Sequence, residues 1–104
     1  MFAELITLLN ENGRGLNAFR KCADAAKGLA QKNPDYATEF FVLAVYAENF
    51  VDFHERMAVD LSATAKAADQ FVKVAEQFDA AITSGSAQTR LGAMNEVVTG
   101  MFAA

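Results

Sequence analysis

Residues 35–59 read DYATEFFVLAVYAENFVDFHERMAV, and this stretch decides the fold. Placed on a helix at about 100° per residue, its apolar positions cover an arc of roughly 200°. The charged residues of its second half cluster on the opposite side. A stripe this wide predicts one of two arrangements: a central helix that contacts neighbours on two sides, or a helix with one apolar flank turned toward a partner.

Turn signals on either side of this stretch divide the chain into helices. The sharpest is Asn33-Pro34-Asp35, and the last ends at Ser86, which is suited to cap a helix N-terminus. Between the turns, apolar residues recur at spacings of three and four, and no segment sustains the period-two alternation of a strand. We expect a short N-terminal helix, then helices over residues 16–32, from 34 to about 59, from 62 or 64 to 82, and from 86 onward.

These segments predict an all-α fold, a small antiparallel helical bundle of four main helices plus a short N-terminal helix. A length of 104 residues is that of one domain, so residues 1–104 are expected to form a single helical-bundle domain. Charge predicts which helices are neighbours. Residues 14–32 are mainly basic and residues 33–60 mainly acidic, so a basic helix is expected beside an acidic one.

Composition and charge limit the classes of function. Hydrophobic residues make up 53% of the chain and the net charge is −4, which is atypical of a nucleic-acid partner. The single cysteine, Cys22, excludes an intrachain disulfide and fits a reducing compartment. Glu4 interrupts the first apolar stretch, which lacks the basic start of a signal peptide. The longest apolar run, residues 40–47, is far shorter than the ~20 residues that span a bilayer. We therefore expect a cytoplasmic protein without a transmembrane segment.

The chain offers few residues for chemistry. The only histidine, His54, falls inside the apolar arc, where a partly buried imidazole bonded to a carboxylate or carbonyl is the commonest role. A zincin motif needs a second histidine where Ala58 stands, and a di-iron bundle needs a glutamate where Val51 stands. Cys22 lies on an apolar stripe, as an inert core thiol does. We expect no metal, no cofactor and no enzymatic activity.

The excess of apolar residues favours association, because large exposed apolar areas are rare on monomers. The first expectation is a non-enzymatic helical protein-interaction module, most simply a homodimer that completes its core through residues 35–59. The side chains expected at this interface are Val42, Tyr46, Phe53, Met57, Met101 and Phe102, with His54 as a polar contact in the apolar face.

Two alternatives stay open. A small helical carrier would use the wide helix to line a cavity for a lipid, a haem or another flat hydrophobic ligand, with His54 as an axial or polar contact. A peripheral binder of a membrane or granule surface would use the apolar side chains of residues 1–9, which include Phe2, Leu5, Ile6 and Leu9.

Overall fold

The computed structural model describes residues 1–55 and 61–101, which form helices joined by short turns. No strand occurs in these two ranges, and the predicted all-α fold is confirmed. The helix that contains residues 37–54 ends at His54, and most of its predicted continuation to residue 59 lies outside the described residues. The helices are α1 (Ala3–Glu11), α2 (Leu16–Lys32), α3 (Ala37–His54), α4 (Leu61–Thr83) and α5 (Ala87–Met101), with a 3-10 turn at Pro34–Tyr36 before α3.

The helix ends follow from local sequence signals. At the end of α1, Gly13 has a φ of +84°, and its N–H donates to the carbonyl of Asn10 at 3.4 Å. The N–H of Arg14 donates to the carbonyl of Leu9 at 3.0 Å, which completes a Schellman motif. At the start of α5, the Ser86 hydroxyl accepts the N–H of Thr89 at 3.3 Å. The predicted cap at Ser86 is therefore confirmed.

The core is built around phenylalanine side chains. Phe2 contacts Phe40 and Phe78 edge to face, with ring centroids 4.9 and 6.2 Å apart. A second group forms around Phe19, whose ring centroid lies 4.2 Å from that of Phe50 and 5.8 Å from that of Phe71. Since Phe2 precedes α1 and is fully buried, the short N-terminal helix is an integral part of the core.

The basic helix α2 lies beside the acidic helix α3, as the charge pattern predicts. Lys27 pairs with Glu48, and Arg20 lies 3.7 Å from Glu55. Lys27 follows Arg20 along α2, whereas its partner Glu48 precedes Glu55, the partner of Arg20. These two helices are therefore antiparallel. Both pairs are largely exposed, so they favour this arrangement without adding much stability.

An ion pair between a buried carboxylate and a partly exposed guanidinium joins the first turns of α3 and α5. Glu39 is 1% exposed, and Arg90 donates to its two carboxylate oxygens at 2.8 and 3.0 Å. Arg90 also donates to the carbonyl of Asp35 at 2.8 Å and lies over the ring of Tyr36, 4.8 Å from its centroid. Bidentate pairing of this kind fixes orientation as well as distance. The helices α3 and α5 therefore start at the same end of the bundle and are held together there.

Candidate functional site

The later halves of α3 and α5 enclose an open cleft whose third side is α4. Its volume is about 630 Å³, within the range of roughly 300–1,000 Å³ that is typical of small-molecule sites. Because the Arg90–Glu39 pair lies near the beginning of both helices, the cleft opens at their other end. We call it the α3–α5 cleft; its lining residues are Tyr46, Asn49, Phe50, Phe53, His54, Ala67, Gln70, Val74, Gln77, Glu96, Val97, Gly100 and Met101.

The α3 side of the cleft is an aromatic wall. Tyr46, Phe50, Phe53 and His54 follow each other at helical spacing and so share one face. The His54 ring centroid lies 4.5 Å from that of Phe50 and 4.9 Å from that of Phe53. Phe50 is 9% exposed and belongs to the floor, whereas Phe53 is 68% exposed and forms the rim. Burial raises the pKa of the Tyr46 hydroxyl, which keeps this wall uncharged.

The opposite side combines methyl and amide groups with one carboxylate. Gln70, Val74 and Gln77 are presented by one face of α4. The Gln77 amide donates to Glu96 of α5 at 3.3 Å, so a polar contact bridges these two helices at the cleft edge. At Gly100 an added Cβ would meet nothing within 4 Å, so the cleft is open there.

His54 has an unsatisfied ring nitrogen. Its Nδ1 is buried and has no hydrogen-bond partner among the described residues, although the ring as a whole is partly exposed. The carboxylate or carbonyl expected for this imidazole is therefore not found at Nδ1. Its contacts are instead the rings of Phe50 and Phe53.

The structure brings together four of the side chains that the sequence singled out. Tyr46, Phe53, His54 and Met101 all line the α3–α5 cleft. Val42 does not, because it is 7% exposed and packed in the core, one helical turn closer to the end where Arg90 holds α5. Val42, which the sequence placed at a possible interface, is therefore packed inside the chain and does not belong to the cleft. Met57 and Phe102 lie outside the described residues.

Two groups of apolar side chains outside the cleft are buried, namely Cys22, as its apolar stripe predicts, and most of the N-terminal segment. The thiol of Cys22 is fully buried and donates to the carbonyl of Leu5 at 3.4 Å. Burial raises its pKa to about 11, which suppresses the thiolate. The side chains of Phe2, Leu5 and Leu9 are fully buried. The N-terminal segment therefore does not present them to a membrane or granule.

Sequence reasoning missed the polar part of the site. Asn49, Gln70, Gln77 and Glu96 come from three helices, and no spacing rule joins them. The one local signal was on α4, where Gln70 and Gln77 are seven residues apart and flank Val74 on the same face. In the two described ranges, no cluster of three or more histidine, cysteine or acidic side chains could hold a metal ion.

No family model, curated protein or solved structure matches this chain. In the described part of the chain, no helix has both the length and the apolar character needed to cross a membrane.

Proposed function

We propose that the protein is a non-enzymatic binding protein that takes a small molecule with an apolar body into the α3–α5 cleft. The observation that carries this proposal is the composition of the cleft. Side chains from three helices line an open cleft of about 630 Å³ with an aromatic wall, an apolar floor that includes Phe50 and Val97, and a few amide groups. Ligand sites in proteins have this combination of apolar lining and a small number of polar contacts.

The exposed side chain of Phe53 at the rim of the cleft provides apolar surface that a bound guest would remove from water. Phe53 leaves 68% of its surface in water, although the floor beside it is dry at Phe50 and Val97. Full burial of a phenylalanine side chain is worth roughly 1.5–3 kcal/mol, so a guest that covers Phe53 gains part of this amount. The amides of Asn49, Gln70 and Gln77 can orient the guest without excluding its apolar body.

Three residues that were expected at a dimer interface belong to the proposed binding site. Tyr46, Phe53 and Met101 line the α3–α5 cleft. Leu91 and Val98 are exposed on α5, so a second copy of the chain stays the competing occupant for the test.

A cleft-filling variant tests the proposal with a matched control. Gly100 lines the cleft and Gly92 does not, yet both are exposed glycines of α5 whose added Cβ meets nothing within 4 Å. The probe is N-phenylnaphthylamine, an uncharged dye that fluoresces in apolar sites. We expect a fluorescence increase with the wild-type protein, its loss in Gly100→Trp and its retention in Gly92→Trp.

Two results would contradict the proposal. One is a dye response that Gly100→Trp and Gly92→Trp reduce equally, because binding would then not depend on the cleft. The other is a native mass spectrum that shows a bare dimer which dissociates in Phe53→Asp. That spectrum would assign the rim to contact between two copies.

A further inference from the structure

The charge lining the α3–α5 cleft has one sign. Among the described lining residues, Glu96 is the only Asp, Glu, Lys or Arg. Its carboxylate accepts a hydrogen bond from the Gln77 amide at 3.3 Å but has no ion-pair partner in the described part of the chain. By contrast, Glu39 and Glu48 are each paired with a cationic side chain. Within the described residues, the cleft therefore contains a carboxylate that no cationic side chain neutralises.

The aromatic wall, like the Glu96 carboxylate, favours a guest with a positive charge. The faces of phenylalanine and tyrosine rings carry negative electrostatic potential, and cations lie over them within about 6 Å of the ring centroid. Tyr46 and Phe53 provide two such rings along one face of α3, whereas the Phe50 ring packs against Phe19 and His54. Phe53 has the exposed area that an incoming group needs.

The unpaired carboxylate of Glu96 and the aromatic side chains of the α3 wall therefore have the same electrostatic preference, for a cation.

We propose that the guest of the α3–α5 cleft is an organic cation, an ammonium or amidinium group on an apolar, preferably aromatic, body. The body lies on the floor between Phe50 and Val97, and the charged group lies between Glu96 and the rings of the α3 wall. This inference rests on the proposed binding function and specifies the chemistry of its ligand.

Three probes that share a naphthalene ring test the sign of the charge. They are the cation (naphthylmethyl)trimethylammonium, the neutral alcohol naphthylmethanol and the anion naphthaleneacetate, which is the carboxylate of naphthaleneacetic acid. Binding is followed by NMR shifts of the backbone amides of Phe50, Phe53 and Val97. We expect the cation to bind most tightly and the anion least. Glu96→Gln should weaken the cation by about threefold or more and leave the neutral alcohol unchanged.

Glu76→Gln is the matched control, because it removes the same charge from an exposed position of α4 that does not line the cleft. It should leave the ranking and the affinities unchanged. If the alcohol binds as tightly as the cation and Glu96→Gln changes neither, the charge preference is wrong while the binding function stands. If none of the probes shifts the cleft amides, both the charge preference and the binding function are wrong.

Discussion

Arg90 and Glu39 are 51 positions apart in sequence and form the closest polar link between α5 and α3 in the described part of the chain, with bidentate contacts at 2.8 and 3.0 Å. This link matters because α5 buries few side chains of its own, chiefly Ala93 and Val97. Removing one partner of a buried ion pair leaves the other charge without compensation, which costs far more than the pair contributes.

We therefore expect Arg90→Gln to lower the free energy of unfolding by about 3 kcal/mol, because the buried Glu39 carboxylate loses its cationic partner. The measurement is equilibrium unfolding in urea. Arg14→Gln is the matched control, since it removes the cationic partner of Asp69 in an exposed pair and should cost only about 0–1 kcal/mol. Equal costs for the two variants would mean that burial of Glu39 has no energetic effect.

The short N-terminal helix should be as important to stability as the longer ones. Phe2→Ala removes a fully buried ring that contacts Phe40 and Phe78, and we expect a loss of roughly 3–5 kcal/mol. Phe41→Ala makes the same chemical change at a ring that is 62% exposed, and its effect should stay within about 0.5 kcal/mol. Thermal unfolding of both variants checks this difference; similar melting temperatures would place Phe2 outside the cooperative core.

Identical substitutions at two glycines should change stability in opposite directions. Gly13→Ala places a side chain at a φ of +84° and should destabilise by roughly 1–2 kcal/mol. Gly28→Ala lies inside α2, where an added Cβ meets nothing within 4 Å, and should stabilise by about 0.5–1 kcal/mol. Urea midpoints of the two variants on opposite sides of the wild-type value are the expected result, and a shift of both in the same direction would contradict it.

Burial of Cys22 should make stability depend on alkaline pH. Its pKa rises from the ordinary 9.0 to about 11 in the folded protein, so the unfolded chain releases this proton first. The contribution of the protonated thiol is thus complete below pH 9.0 and is lost as the pH rises toward about 11. Unfolding curves across this range should decline more for the wild-type protein than for Cys22→Ala. Parallel declines would show that the thiol ionises equally in both states.

The elements that local signals define were predictable, and the contacts between distant segments were not. The Asn33-Pro34 sequence ends α2 where expected, and Ser86 caps α5, because a turn or a cap depends on a few adjacent residues. The Arg90–Glu39 pair depends on how two separate helices pack, and no periodicity contains that information. Val42 illustrates the same limit: its position on the apolar arc was clear, but its burial depends on which neighbour covers that part of α3.

Only the α3 side of the cleft could be predicted from the sequence. The aromatic wall is visible in the sequence because Tyr46, Phe53 and His54 occupy one helix and share its periodicity. The facing wall combines Gln70 and Gln77 of α4 with Glu96 of α5. These polar side chains look like ordinary solvated positions until the helices are placed side by side.

The ion pair and the cleft occupy opposite ends of the same two helices, and this has a thermodynamic consequence. If α3 and α5 move as rigid rods, separation of their first turns also alters the spacing between Phe53 and Met101 farther along. Linkage between two such equilibria is reciprocal, so a guest that fixes the spacing at the cleft would also strengthen the contact between Arg90 and Glu39. Occupancy of the cleft should consequently slow hydrogen exchange of the Arg90 amide, which donates to the carbonyl of Ser86 and lies remote from the guest.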